Sequence, residues 1–252
     1  MSDETEDQRW ERLSRDRIHR PLPKRFYKSV AVTDQFAIAL DGRNVKTPLK
    51  APLVLPTRAL AEAVAAEWDA QIDVINPHAM PLTKLANTAI DRAVPEKSKI
   101  VAELLEFAGS DMVCYRAESP AGLVQRQITH WDPIIAWAKT DLKVGFITVC
   151  TITHKNQSPA ALQALEASIM ALDPFSFVAI HNLTTLTGSV LLATMLAMGK
   201  IPTEAAWRAA NVDEDWQIET WGEDADAMAR RTERLNEFSA SVKFLNLARG
   251  HL

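Results

Sequence analysis

Seven carboxylates and two tryptophans, with no lysine or arginine among them, fill the stretch VDEDWQIETWGEDADA from Val212 to Ala227. Carboxylates at this density can hold a hard cation, meet the cations of another molecule, or be solvated. A metal site would want a histidine at ligand spacing, and none is present, so no metal is expected. If a single helix runs on from Asp213, its pitch gathers Ile218, Trp221, Ala225, Met228, Thr232 and Leu235 on a core-facing side. The same rotation gathers Asp215, Glu219, Glu223 and Asp226 on the opposite side, with Trp216 beside them. The helix dipole favours acids in the first turn only. Like charges four apart beyond it cost a few tenths of a kcal/mol, and a solvated face more usually mixes signs. The stripe is therefore a candidate docking face for a basic partner, with Trp216 as its anchor, although periodicity alone leaves an ordinary solvated face open.

The rest of the chain offers little chemistry. There is no GxxxxGK[ST] loop, no GxGxxG among only eight glycines, and no GxSxG, HExxH or ExxH. No nucleotide, cofactor or catalytic residue is expected. The six histidines are scattered. His130 stands near Asp132, but Asp132 precedes Pro133 and reads as a helix N-cap, while His181 reads as a satisfied core histidine. Cys114 and Cys150 lie far apart, fit a reducing compartment and exclude a thiolate zinc site; both read as free, buried thiols.

Composition sets the frame for these residues. At 252 residues, 47% of them hydrophobic and 24% charged, the chain can bury a proper core. A net charge of −4 argues against nucleic acid as a partner. The acidic opening MSDETEDQRW resembles neither a signal peptide nor an organelle leader, which points to a cytoplasmic protein. Between Asp173 and Lys200 no charged residue occurs, a length that could span a bilayer. Polar residues interrupt it, so the expectation is a buried core helix, or two broken near Gly188, and no membrane insertion.

Elements follow from periodicity. Residues 1–24 read as a flexible N-terminal arm. Residues 25–78 form a β-rich domain, with Phe36, Ile38 and Leu40 alternating before an Asp41-Gly42 hairpin turn. Thr57 caps a helix carrying Leu60, Val64, Trp68 and Ile72. Residues 79–252 form a mostly helical domain. Its helices run from Leu82 to Ala93, from Pro95 to Gly109, from Ser119-Pro120 over a short span, anew from Asp132-Pro133, and from Ser158-Pro159. GFITVCTI reads as one isolated buried strand. The fold class is α+β.

Five stretches in order then resemble one family: KRFYKSVAV with ALDGRNVKTP, MPLTKLANTAID, DMVCYRAESP with the HWDP that follows, and DEDWQIETWGEDADA. Together, from Lys24 to Leu245, they are similar to the F(1) ATP synthase assembly chaperones that escort the α subunit. The resemblance implies a β-rich domain followed by a helical one, and binding rather than turnover: the chaperone shields the free α subunit until it meets its β neighbour. An acidic position in the last motif matters in that family, which brings in Glu223, with Asp224 beside it. The acidic arm in place of a leader implies a bacterial, cytoplasmic version. Asn87 and Asp91 are expected to fix the packing of the two domains, and Tyr115, Arg116 and Glu118 to form a buried polar network. The competing reading is a small-molecule hydrolase or transferase with its site between the domains, around Arg116, Glu118 and His130.

Overall fold

The computed structural model describes residues 21–150 and 153–250; most of the expected arm, residues 1–20, lies outside them. Strands β1 (Val30–Val32), β2 (Ile38–Leu40) and β3 (Arg43–Asn44) form an antiparallel sheet in the order β1-β2-β3. Val30 pairs with Leu40 and Leu40 with Arg43. The turn between β2 and β3 has positive φ at both Asp41 and Gly42 (48° and 78°), the backbone that a two-residue hairpin of this hand requires. Asp41 also closes the sheet from outside, because its carboxylate accepts the backbone N–H groups of Lys28 and Ser29. Those bonds hold its pKa below the ordinary carboxylate value.

Ten α-helices follow among the described residues: α1 (Arg58–Asp69), α2 (Pro81–Asp91), α3 (Lys97–Gly109), α4 (Ala121–Asp141), α5 (Pro159–Met170), α6 (Pro174–Thr187), α7 (Val190–Ala197), α8 (Thr203–Ala210), α9 (Val212–Trp221) and α10 (Ala225–Ala248). The fold is thus α+β, a small sheet followed by helices. Thr57 caps α1 by accepting from Leu60 N–H at 3.1 Å, and its hydroxyl donates to the Leu247 carbonyl at 2.6 Å. One side chain therefore starts a helix and ties down the far end of the chain. Helix α1 stops at Asp69, so Ile72 is not on its core face but 82% exposed. Glu67 accepts the Leu82 and Thr83 N–H groups and the Thr83 hydroxyl, supplying the start of α2 with acceptors that its own sequence lacks.

One apolar cluster runs through both halves, from Ile38, Leu53 and Leu60 through Leu82, Leu104 and Trp131 to Phe177, Leu192 and Phe244. Asp91 on α2 reaches back to the β-rich part, accepting from the Thr47 hydroxyl and the Leu49 N–H; the Asn87 carbonyl oxygen is buried without a partner among the described residues. Helix α7 is buried at every position, and α6 ends at Gly188 with φ 70°. The uncharged segment is therefore two core helices broken at that glycine, as its polar residues suggested. Among the described residues no helix is long and apolar enough to cross a membrane.

Three local readings are corrected. Helix α4 runs unbroken through Pro133. A proline inside a helix removes a hydrogen bond and costs about 3 kcal/mol; burial of Trp131, Ile134, Trp137 and Ala138 on one face of α4 offsets it. Asp132 consequently caps nothing and pairs instead with Arg116 at 2.9 Å. The segment GFITVC forms no strand; a single bridge joins Val149 to Tyr115, and the final Thr-Ile lies outside the described residues.

Candidate functional site

The acidic stretch is not one helix. Helix α9 ends at Trp221, Gly222 turns the chain with φ 90°, and α10 begins at Ala225, capped by the Asp224 carboxylate accepting the Ala227 N–H at 2.8 Å. Rotation about a single axis therefore misplaces everything after Gly222, and the expected core face fails: Trp221 is 76% exposed and Leu235 is exposed as well. Helix α10 fully buries no residue before Phe238; its first half meets the body through Arg231 and Arg234 and carries the elbow at its start.

The two halves of the acidic stretch have different fates. In α9 three of the four carboxylates meet arginines of the same chain. Glu219 takes a bidentate pair from Arg126 of α4, one bond at 2.8 Å, and the guanidinium holds its carboxyl below the usual pKa. Glu214 meets Arg231 and Arg234 of α10, Asp215 meets Arg231, and Asp213 accepts from the Gln127 amide. Trp216 lies under the Arg126 guanidinium, 5.1 Å from ring centroid to cation, and packs on Gly122 of α4. Arg231 and Arg234 also stack over Trp207. This half of the row clamps α9 between α4 and α10, and the signal for it was present in the sequence as RQ at 126–127 and RRTER at 230–234, with nothing local to say they would meet it.

The elbow is the other half. From Thr220 to Asp226 every residue is exposed, and Glu223, Asp224 and Asp226 form no ion pair with another described residue. Trp221, assigned to the core by periodicity, is the free aromatic at the elbow, whereas Trp216 is half-buried beneath Arg126. Geometrically the arrangement is a rigidly braced corner that presents an indole and three carboxylates to solvent. It can bind; it holds no pairing of nucleophile, base and orienting group.

Around the competing site the side chains are committed to structure. Arg116 is bonded to the Val113 and Gln127 carbonyls and to Asp132, and stacks on Trp131. Glu118 is exposed and outside that network. The His130 pKa is lowered by burial and by Arg208 nearby. Two clefts among the described residues, one lined by Pro81 and Glu237 and one by Tyr27 and Arg43, include none of the three. His181 is half-exposed, 3.6 Å from Glu103, rather than a core residue. Burial pushes the Cys114 thiol up to about 12, while Cys150 is exposed and not buried as expected. Among the described residues no cluster of His, Cys, Asp or Glu could hold a metal ion.

Comparison with known proteins extends the picture. Residues 24–139 match the model of the ATP12 chaperone protein family. The chain is similar to the crystal structure of Atp12 from Paracoccus denitrificans, with 39% identity, 90% of this chain and 98% of that one covered, and a TM-score of 0.83. A protein from Agrobacterium tumefaciens is 42% identical over 92% of this chain and 89% of its own, also with a TM-score of 0.83. The mitochondrial protein atp12 of Schizosaccharomyces pombe is 26% identical over 90% of this chain and 84% of its own.

Proposed function

The chain belongs to the ATP12 chaperone protein family, and from that premise we propose that it acts in ATP synthase assembly by holding the free F(1) α subunit until the α/β ring forms. An isolated subunit of a permanent complex exposes a large apolar interface and aggregates unless it is covered. The reading is one of binding without turnover, in the cytoplasm, with no nucleotide, metal or cofactor in the cycle.

The observation that carries the location of the grip is the exposed elbow. Among the described residues Glu223, Asp224 and Asp226 form no ion pair, and they stand next to an indole that is 76% exposed. A tryptophan rimmed by charge is the composition of an interface hot spot. In this reading Glu223, Asp224 and Asp226 meet basic side chains of the client and Trp221 inserts between them. Asp215, Trp216 and Glu219 brace the corner from behind through Arg231, Gly122 and Arg126.

Separately expressed α subunit, diluted with and without the chaperone and followed by light scattering, tests this. The wild-type chain suppresses aggregation without ATP, and Glu223→Lys, folded by circular dichroism, does so far less. Full protection by a folded Glu223→Lys protein removes the elbow from the mechanism.

A further inference from the structure

The opposite end of the charge distribution carries a second surface. Residues 21–57 contain six cations (Lys24, Arg25, Lys28, Arg43, Lys46 and Lys50) against two acids, Asp34 and Asp41, in a chain whose net charge is −4. Only Arg25 among the six forms an ion pair with another described residue, Asp69 at 3.3 Å. Asp34 and Asp41 offset only part of that charge; Asp41 accepts the Lys28 and Ser29 N–H groups and the Ser29 hydroxyl and lies close enough to Lys28 to interact with its charge.

Two of these cations, Arg43 and Lys46, line a cleft together with one acid, Asp41. Phe26, Tyr27, Val45 and Trp68 supply its apolar lining. Phe26 is 74% exposed although it flanks the buried Tyr27. The bridge between Lys24 and Val74 and the bond from Arg25 N–H to the Asp73 carbonyl lay this segment alongside the one that carries Ile72, itself 82% exposed. An isolated exposed apolar residue needs no explanation, but Phe26 in a cleft that carries two cations against one acid defines a surface of mixed character.

We propose that this cleft is a second docking site, which takes an extended acidic segment of a client polypeptide and seats one of its apolar side chains against Phe26 and Trp68. Arg43 and Lys46, against Asp41 alone, favour acid, since a basic segment would meet a net like charge. The site is independent of the elbow, whose polarity is opposite. A chaperone with both would hold one client at two places by complementary charge, gaining effective concentration at the second contact.

The test is fluorescence anisotropy with a short fluorescein-labelled peptide of Glu and Asp interrupted by two Phe, against the same peptide with Lys in place of every acid. The acidic peptide binds the full chain and weakens as salt rises. The double variant Arg43→Glu/Lys46→Glu weakens it by about tenfold or more, Phe26→Ser weakens it without altering charge, and Trp221→Ala leaves it unchanged. Equal binding of the Lys peptide, or unchanged binding by either cleft variant, overturns the proposal. So does an oligomer of the free chain that Arg43→Glu/Lys46→Glu dissolves, which would make a second copy the occupant. Binding that emerges only when Asp3, Glu4, Glu6 and Asp7 are replaced by their amides would assign the cleft to the chain's own N-terminal residues and overturn it too.

Discussion

Trp216 and Gly122 are in direct contact across α9 and α4: a methyl group built on Gly122 would fall 2.6 Å from the indole Cη2. No ordinary side chain fits there, so the glycine sets how closely the two helices approach. Gly122→Ala gains helix propensity of about 0.5–1 kcal/mol but must displace a rigid ring, which costs about 1–3 kcal/mol. Net destabilisation in urea unfolding, accompanied by a changed Trp emission spectrum, is the expected result.

Under the proposed grip, Trp221 separates binding from stability. With most of its surface in solvent, Trp221→Ala changes the unfolding free energy by no more than about 0.5 kcal/mol. The same substitution lowers affinity for the α subunit by about 2 kcal/mol or more if the indole is an anchor. Chemical denaturation and a titration of labelled α subunit read the two quantities apart.

Asp224 caps α10 and, in the proposed grip, also meets the client, and substitution can split the two. Asp224→Asn keeps an oxygen that can accept the Ala227 N–H and should preserve stability, while removing a charge from the elbow. Asp224→Ala removes both and costs about 1 kcal/mol as a lost cap. Protection of the α subunit that falls equally in the two variants assigns the loss to charge; a loss confined to Asp224→Ala assigns it to the cap.

Asp111 gives the fold a pH dependence. It is fully buried, accepting the Val113 and Leu191 N–H groups, and burial raises its pKa from 3.8 to about 6. The folded state therefore holds a proton that the unfolded state releases, and this group's contribution to stability falls as pH rises from 3.8 toward about 6. Asp111→Asn should remove that slope. It should also destabilise by about 1–3 kcal/mol, because an amide NH₂ replaces one of two oxygens that both face donors. Urea midpoints measured across the window check both.

Much of the architecture could be read from local sequence. Asp41-Gly42, Thr57, Ser158-Pro159 and Gly188 each mark an element end through a backbone or capping preference that acts within a few residues. Where local signals competed with packing, packing won. Pro133 reads as a helix start yet sits inside α4, and GFITVC has strand composition but finds no neighbouring strand to pair with.

The sequence by itself determined the family, the α+β order of elements and the excess of acid between Val212 and Ala227, because composition, caps and motif order are properties of the chain. Which of those acids are free was decided only by the tertiary structure. Arg126 lies 93 residues from Glu219 in the chain, and Gly222 adopts a backbone that swings the second half of the row away from the first. A helical period carries neither fact: charge pairing between distant helices depends on where packing puts them, and one positive φ resets the axis about which faces are counted.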